Sequence, residues 1–373
     1  MFPGSIVKPG FNPLAAQTPI YTYNLFSWGY NSSGQLGIGT TVGNSSPVQV
    51  GALTDWLKIS AGYYTGVAIK TDGTLWAWGA NTNGQLGLGN TTAYSSPKQI
   101  GALTGWASIG SNKNSTMAIK TDGTLWTWGK NDYGQLGLGD VTYRSSPVQV
   151  GALTNWSSVS KGWSAACFAV KTDGTLWSWG QGLRGQLGLG NTTDYSSPKQ
   201  IGALTAWSSV QTGVTQTFAI KTDGTLWSWG YNQFGNLGLG NLTNYSSPKQ
   251  VGALTNWLRI TASYYGAVAV KTDGTLWAWG NNGQGQLGLG NTTAYSSPKQ
   301  VGALTSWVFV SSGIFGSITA TQTNDKLFSW GYGSQGQLGQ SSITSYSSPK
   351  QVGSLTTWSS LTSGGYTAYA LAY

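Results

Sequence analysis

The chain has 373 residues, with 19 Lys and Arg against 10 acidic side chains, all of them Asp, and it contains no His. Lacking both His and Glu, it is without the commonest general bases and the commonest metal ligand, which argues against an enzyme and against any bound cofactor or metal. The net charge of +9 is thinly spread: only 8% of residues are charged and only three are Arg, so the clustered basic patch expected of a nucleic-acid binder is missing.

Residues 1–22 come first and stand apart. Phe2-Pro3-Gly, Ile6, Pro9-Gly-Phe11-Asn-Pro13 and Pro19 break this stretch too often for a helix or a central strand. It reads as an extended arm, and the expectation is that residues 1–20 are held by a protein partner or by neighbouring copies, with Phe2, Pro3, Ile6, Pro9, Phe11 and Pro13 as the anchor. The start lacks the basic and apolar regions of a secretory signal. No run approaches the roughly 20 apolar residues of a membrane span.

Residues 23–373 form the second unit, and it repeats. Trp-Gly pairs begin at Trp28, Trp78, Trp128, Trp179, Trp229, Trp279 and Trp330, always 50 or 51 residues apart. A period near 50 with short strands points to propeller blades. Within one unit, Leu57-Lys-Ile-Ser is a short strand, Gly62-Tyr-Tyr turns the chain, and Val67-Ala-Ile-Lys returns. Thr71-Asp-Gly73 turns it again, since Asp-Gly between alternating apolar segments is a hairpin signal. Leu75-Trp-Ala-Trp78 is the next strand, and Gly84-Gln-Leu-Gly-Leu-Gly89 crosses to a last strand around Lys98-Gln-Ile100. Lys-Thr-Asp-Gly-Thr-Leu-Trp recurs unchanged five times, and Ser-Ser-Pro seven times. Because Lys and Asp balance within each Lys-Thr-Asp-Gly turn, the charge excess falls mostly to Lys98, Lys199, Lys249, Lys299 and Lys350.

The ends complement each other. The last unit stops at Tyr369-Ala-Leu-Ala-Tyr373, a strand with no hairpin partner after it, and the first begins at Leu25-Phe-Ser-Trp28, which is that partner. The expected fold is therefore all-β, a seven-bladed β-propeller closed by pairing the N- and C-terminal strands in one shared blade, which removes two open edges.

These residues also carry a family resemblance. Trp-Gly-x-Asn-x-x-Gly-Gln-Leu-Gly-x-Gly, as in Trp78 to Gly89, resembles the regulator of chromosome condensation (RCC1) repeat and recurs in all seven units with small changes. The resemblance implies a seven-bladed propeller, and the near-identity of the repeats is similar to family members from bacteria and their viruses. Nuclear members exchange nucleotide on a small GTPase and bind nucleosomes through acidic and His face residues and an inserted β-wedge. Here the repeats carry no insertion longer than one residue and there is no His, which argues against that role. The plant ultraviolet receptor of this fold needs a face rich in Arg–Asp pairs and extra Trp, which three Arg and one off-template Trp do not supply.

Aligning the units on Trp56, Trp106, Trp156, Trp207, Trp257, Trp307 and Trp358 exposes one turn that varies. It reads Tyr63-Tyr64, Lys113-Asn114, Trp163-Ser-Ala165, Val214-Thr215-Gln216, Tyr264-Tyr265, Ile314-Phe315 and Gly365-Tyr366. A second variable segment follows each Trp-Gly, for example Tyr30-Asn-Ser-Ser and Tyr231-Asn-Gln-Phe234. Strand direction puts both segments on one rim and the constant Asp-Gly turns on the other. The first rim is the candidate ligand surface, for a protein or a glycan; its aromatic side chains could equally plug the top of the channel.

No catalytic constellation emerges. The Asp residues are explained by turn geometry, Cys167 lies on an apolar strand as a small core residue, and Gly-Gln-Leu-Gly-Leu-Gly lacks the Lys-Ser/Thr and helix of a phosphate loop. The expected function is a non-enzymatic structural or binding propeller. The first reading is a phage or virion surface or tail component anchored by its arm, located in a virion or other extracellular assembly. The alternative is a free-standing, cytoplasmic protein-interaction module.

Overall fold

The computed structural model describes residues 22–373; Phe2, Pro3, Ile6, Pro9, Phe11, Pro13 and the rest of the anchor arm lie outside the described residues. Among the described residues the regular elements are all strands, arranged as seven four-stranded antiparallel sheets. Blade 1 spans residues 56–99: inner strand Trp56–Ala61, second strand Thr65–Lys70, third strand Leu75–Gly79 and outer strand Tyr94–Gln99. Blades 2 to 6 repeat this order over 106–149, 156–200, 207–250, 257–300 and 307–351. The outer strand starts earlier than the sequence suggested and takes in Ser-Ser-Pro97, because Pro is tolerated on a sheet edge.

Blade 7 is built from both ends. Its inner strands are Trp358–Ser363 and Thr367–Ala372, and Asn24–Gly29 and Asn44–Gln49 complete it. Asn24 to Gly29 pair continuously with Ala372 to Thr367, so closure uses the same register as any other blade.

Local chemistry repeats with the sequence. In the Thr-Asp-Gly hairpin, Asp72 Oδ1 accepts hydrogen bonds from the Thr74 N–H (2.9 Å) and hydroxyl (2.6 Å), and Thr74 Oγ1 accepts one from Trp76 Nε1 (2.9 Å). Blades 2 to 5 carry the same network. Blade 6 has Asn324-Asp325-Lys326 instead, and Asp325 takes the positive φ (57°) that glycine holds elsewhere.

Blades are joined by tryptophan. Trp78 Nε1 donates to the Gln35 carbonyl in the crossing loop of the preceding blade (2.9 Å), and the equivalent bond occurs from Trp28, Trp128, Trp179, Trp229, Trp279 and Trp330. This contact explains the glycine of Gln-Leu-Gly: a Cβ on Gly37 would stand 2.7 Å from Trp78 Nε1, and its φ is +73°. Beside it, Thr116, Thr217 and Cys167 each donate from the second strand to the same type of loop carbonyl. Cys167 therefore serves as a buried donor within the blade interface.

Hydroxyls stitch the inner strands together around the central channel. The N–H groups of Ser111, Ser312, Ser363 and Ala61 donate to the hydroxyls of Ser60, Thr261, Ser311 and Thr362 on the preceding inner strand. Exposed edges of the inner strands are thus partly satisfied by their neighbours.

Candidate functional site

Register fixes which loops share a rim. Trp56 faces Lys70 and Ala61 faces Gly66, so the inner strand climbs away from the Asp-Gly turn toward Tyr63-Tyr64. The segment after the third strand meets that turn directly, with Ala80 N–H donating to the Tyr64 carbonyl (2.9 Å). The same bond links Lys130 to Asn114, Tyr231 to Thr215, Asn281 to Tyr265 and Tyr30 to Tyr366. Both variable segments of each blade form one surface.

On that surface eleven rings make one connected layer: Tyr30, Tyr63, Tyr64, Trp163, Tyr231, Phe234, Tyr264, Tyr265, Phe315, Tyr332 and Tyr366. Six of the seven blades contribute. Tyr63 sits at the centre, against Trp163 (4.4 Å between ring centroids), Phe315 (5.8 Å) and Tyr366 (5.8 Å). Phe315 stacks on Tyr366 at 4.2 Å, and Phe234 on Tyr265 at 4.6 Å. Such pairs contribute about 0.5–1.5 kcal/mol each beyond area burial.

The layer has a roof and a rim. Tyr63 (8% exposed), Trp163, Val214 and Ile314 close one end of a channel cavity of about 270 Å³ lined by the inner strands. Tyr264 is 39% exposed, and Tyr64, Tyr265, Phe315 and Tyr366 are half-buried. The two readings of these aromatics therefore divide by residue: Tyr63 plugs, while the side chains around it present partial surface.

Blade 2 supplies no ring. Its Lys113 is exposed and places Nζ 5.6 Å from the Tyr63 ring and 5.3 Å from that of Trp163, and Arg184 lies 5.3 Å over Tyr231. The cations frame the layer by cation–π contact. Asn114 and Thr215 are half-buried and lend their carbonyls to the rim bonds above. Gln216 is not part of the surface. It is fully buried, with Nε2 donating to the Ser263 carbonyl at 2.8 Å. Its place on the second strand, one residue inside the turn, accounts for this.

Electrostatically the layer is neutral. Burial holds the Tyr63 and Tyr366 phenols above their ordinary value, and burial pushes Tyr265 up to about 12. These hydroxyls remain protonated and serve as hydrogen-bond donors through the physiological range.

The sequence placed Tyr30, Tyr231 and Phe234 on this rim within the second variable segment but not among the ligand residues, and it missed Tyr332, which likewise directly follows Trp-Gly. It also missed Lys161, which is only 9% exposed and donates from Nζ to Ser115 Oγ (2.6 Å). Burial pushes the Lys161 amine down and the neighbouring Cys167 thiol up. A raised thiol sealed from solvent is a poor nucleophile. Among the described residues no group of three or more His, Cys, Asp or Glu comes together.

A closed ring of seven repeat-built blades, constant in its framework and irregular on one rim, defines the class of repeat propellers. The chain belongs to the regulator of chromosome condensation (RCC1) repeat family, whose repeat matches at residues 24–69, 72–119, 122–169, 173–220, 223–270, 273–319 and 324–371. Its fold is similar to that of Prp20p from Saccharomyces cerevisiae, a structure described together with binding to Gsp1p and histones (TM-score 0.84, 20% identity, 95% of this chain and 92% of that one). It is likewise similar to human WBSCR16 (TM-score 0.83, 20% identity, 94% and 98%). Prp20 was also solved bound to Kap60 (TM-score 0.84, 20% identity, 95% and 89%). A search of curated protein sequences returns no match.

Proposed function

We propose that the chain is a non-enzymatic protein-interaction module that receives its partner on the aromatic rim. The observation carrying this reading is the connected aromatic layer itself, where the framework is repetitive and the departures from it gather on one face. Rigid aromatic groups bury large contact area at low entropic cost and dominate protein interfaces. The family supports a protein partner, since yeast Prp20p is described binding Gsp1p and histones and was solved with Kap60. These eukaryotic relatives favour the module over the virion component.

Tyr63 is buried, so the informative variant spares it. Tyr64, Tyr264 and Tyr265, changed together to Ser, are expected to abolish capture of the protein that the wild-type chain retains from extracts of its source. Melting temperature should stay within about 3 °C. Changing Leu103, Leu153 and Leu254 to Ser, exposed positions in the loops beside the opposite rim, should leave capture intact. Capture that survives the first variant and is lost in the second would place the partner on the other face.

A further inference from the structure

The other mouth of the channel carries a separate anomaly. Each inner strand begins with a framework Trp, and the position two residues on is Ser in four of the seven blades. It is Phe309 in blade 6, Lys58 in blade 1 and Arg259 in blade 5. Blades 1 and 5 stand on opposite sides of the ring, and this position is one residue below the Ile59 and Val159 level of the cavity wall, toward the Asp-Gly rim.

The two cations are incompletely satisfied. Arg259 lies against Phe309 of the next inner strand, 4.0 Å from the ring centroid, and its Nε is buried with no hydrogen-bond partner. Among the described residues no ion pair includes Arg259, Lys58 or Lys161. Lys58 Nζ donates to the Ala107 carbonyl, again on the next inner strand (2.6 Å). Both heads therefore lie along the channel wall. No inner strand contains an acidic residue. The nearest in sequence, Asp55, faces Lys70 at 3.4 Å, and the hairpin carboxylates Asp72 to Asp273 accept from their own threonines. Desolvation weakens the hold of both Lys58 and Arg259 on their protons. Arg259 is partly buried, and drawing a guanidinium out of water without a counter-charge is costly.

We propose that the Asp-Gly mouth of the channel is an oxyanion site that admits a small phosphate-bearing anion toward the cavity, between Arg259 on one wall and Lys58 on the other. The planar guanidinium fork suits phosphate oxygens. The hydroxyls of Ser60 and Ser111 share one hydrogen bond and leave one hydroxyl proton to donate above it, and the cavity of about 270 Å³ gives room for a diphosphate-sized ligand. Since Tyr63 and Trp163 roof the far end, the ligand enters from the Asp-Gly side and does not compete with the aromatic rim.

The test is calorimetric titration of the whole chain with inorganic pyrophosphate at low ionic strength, where such contacts are least screened. The expected result is saturable binding that Arg259→Met weakens by roughly 10- to 100-fold, the equivalent of one charged hydrogen-bonding group. Lys58→Met should weaken it several-fold, and Lys98→Met on an outer strand should leave it unchanged. Met keeps the apolar contact with Phe309, so Arg259→Met should melt no lower than wild type without pyrophosphate. Should that variant misfold, Arg259→Lys, which keeps charge but loses the fork, is expected to bind with intermediate affinity. Equal pyrophosphate affinity in wild type and a folded Arg259 variant would overturn the site. So would the absence of pyrophosphate binding alongside binding of an acidic peptide, which would assign the cations to a macromolecular partner.

Discussion

The two rims of this propeller are made from the same seven repeats and obey different rules. On the Asp-Gly rim, five hairpins are chemically identical, each Asp held by its own Thr and each Thr holding a Trp indole. On the opposite rim the side chains change from blade to blade, the turn repeating only as Tyr-Tyr in blades 1 and 5, yet the backbone bond joining the two loops recurs. Backbone geometry is thus held constant on both rims, while side-chain identity is free on only one. That separation lets a face vary without endangering the ring, because the framework tryptophans and loop glycines lie below it.

The sharpest way to break the comparison is to remove the same residue type from each level. Trp229 is fully buried, donates to the Gln186 carbonyl (2.8 Å) and packs on Phe168 and Trp207. Trp229→Ala should cost about 3–5 kcal/mol, read from the chemical-denaturation midpoint. Trp163→Ala should cost clearly less, since its ring is half-buried and roofs a cavity instead of joining two blades. Equal losses would mean that the aromatic layer is as much framework as the blade interfaces are.

Much of this division was legible from residues. Spacing of the Trp-Gly pairs, the Asp-Gly hairpins and the matching ends specified seven blades and their closure, because each depends on local turn chemistry and period. The location of the variable rim followed from strand direction alone. What could not be read was which variable side chains turn inward. Tyr63 and Tyr64 are adjacent and chemically identical, but Tyr63 meets rings from blades 3, 6 and 7 across the channel whereas Tyr64 meets Tyr30 beside it. Gln216 likewise reads as a turn residue until its amide is seen donating to the Ser263 carbonyl of the next blade. Such contacts join residues dozens of positions or more apart, and no local pattern encodes them.

A second contrast between the rims is pH dependence. Hydrogen bonds from the partner threonines, the hydroxyl foremost, hold the carboxyls of Asp72, Asp122, Asp173, Asp223 and Asp273 below the ordinary 3.8. A folded-state value below the unfolded one contributes stability that is present above 3.8 and lost as pH falls through the depressed values. The urea midpoint should therefore drop on acidification below about pH 4. Changing all five to Asn, which keeps the amide oxygen as acceptor, should flatten that limb. The contribution per turn is modest because each carboxylate is exposed. On the aromatic rim, burial holds the Tyr63, Tyr265 and Tyr366 phenols up, and they should add nothing to this limb.

The smallest effect expected is a gain. Lys161 replaces what is Ser, Thr or Ala at the same inner-strand position of the other six blades, and it buries an amine with only hydroxyl and thiol neighbours. Burial lowers its proton affinity below the unfolded 10.5, so the unfolded chain binds that proton more readily and wild-type stability rises with pH between that lowered value and 10.5. Lys161→Met would remove the desolvation cost while filling similar space, and should raise stability at neutral pH by about 1 kcal/mol. It should also abolish that rise with pH. The informative readout is the slope: a merely better-packed Met would lift stability equally at all pH values, whereas relief of a buried charge lifts it most at neutral pH and least toward pH 10. A loss of stability instead would show that the bond to Ser115, itself donating to Asn112 Oδ1, is part of the framework. The boundary between constant and variable levels would then run one residue higher in blade 3 than in its neighbours.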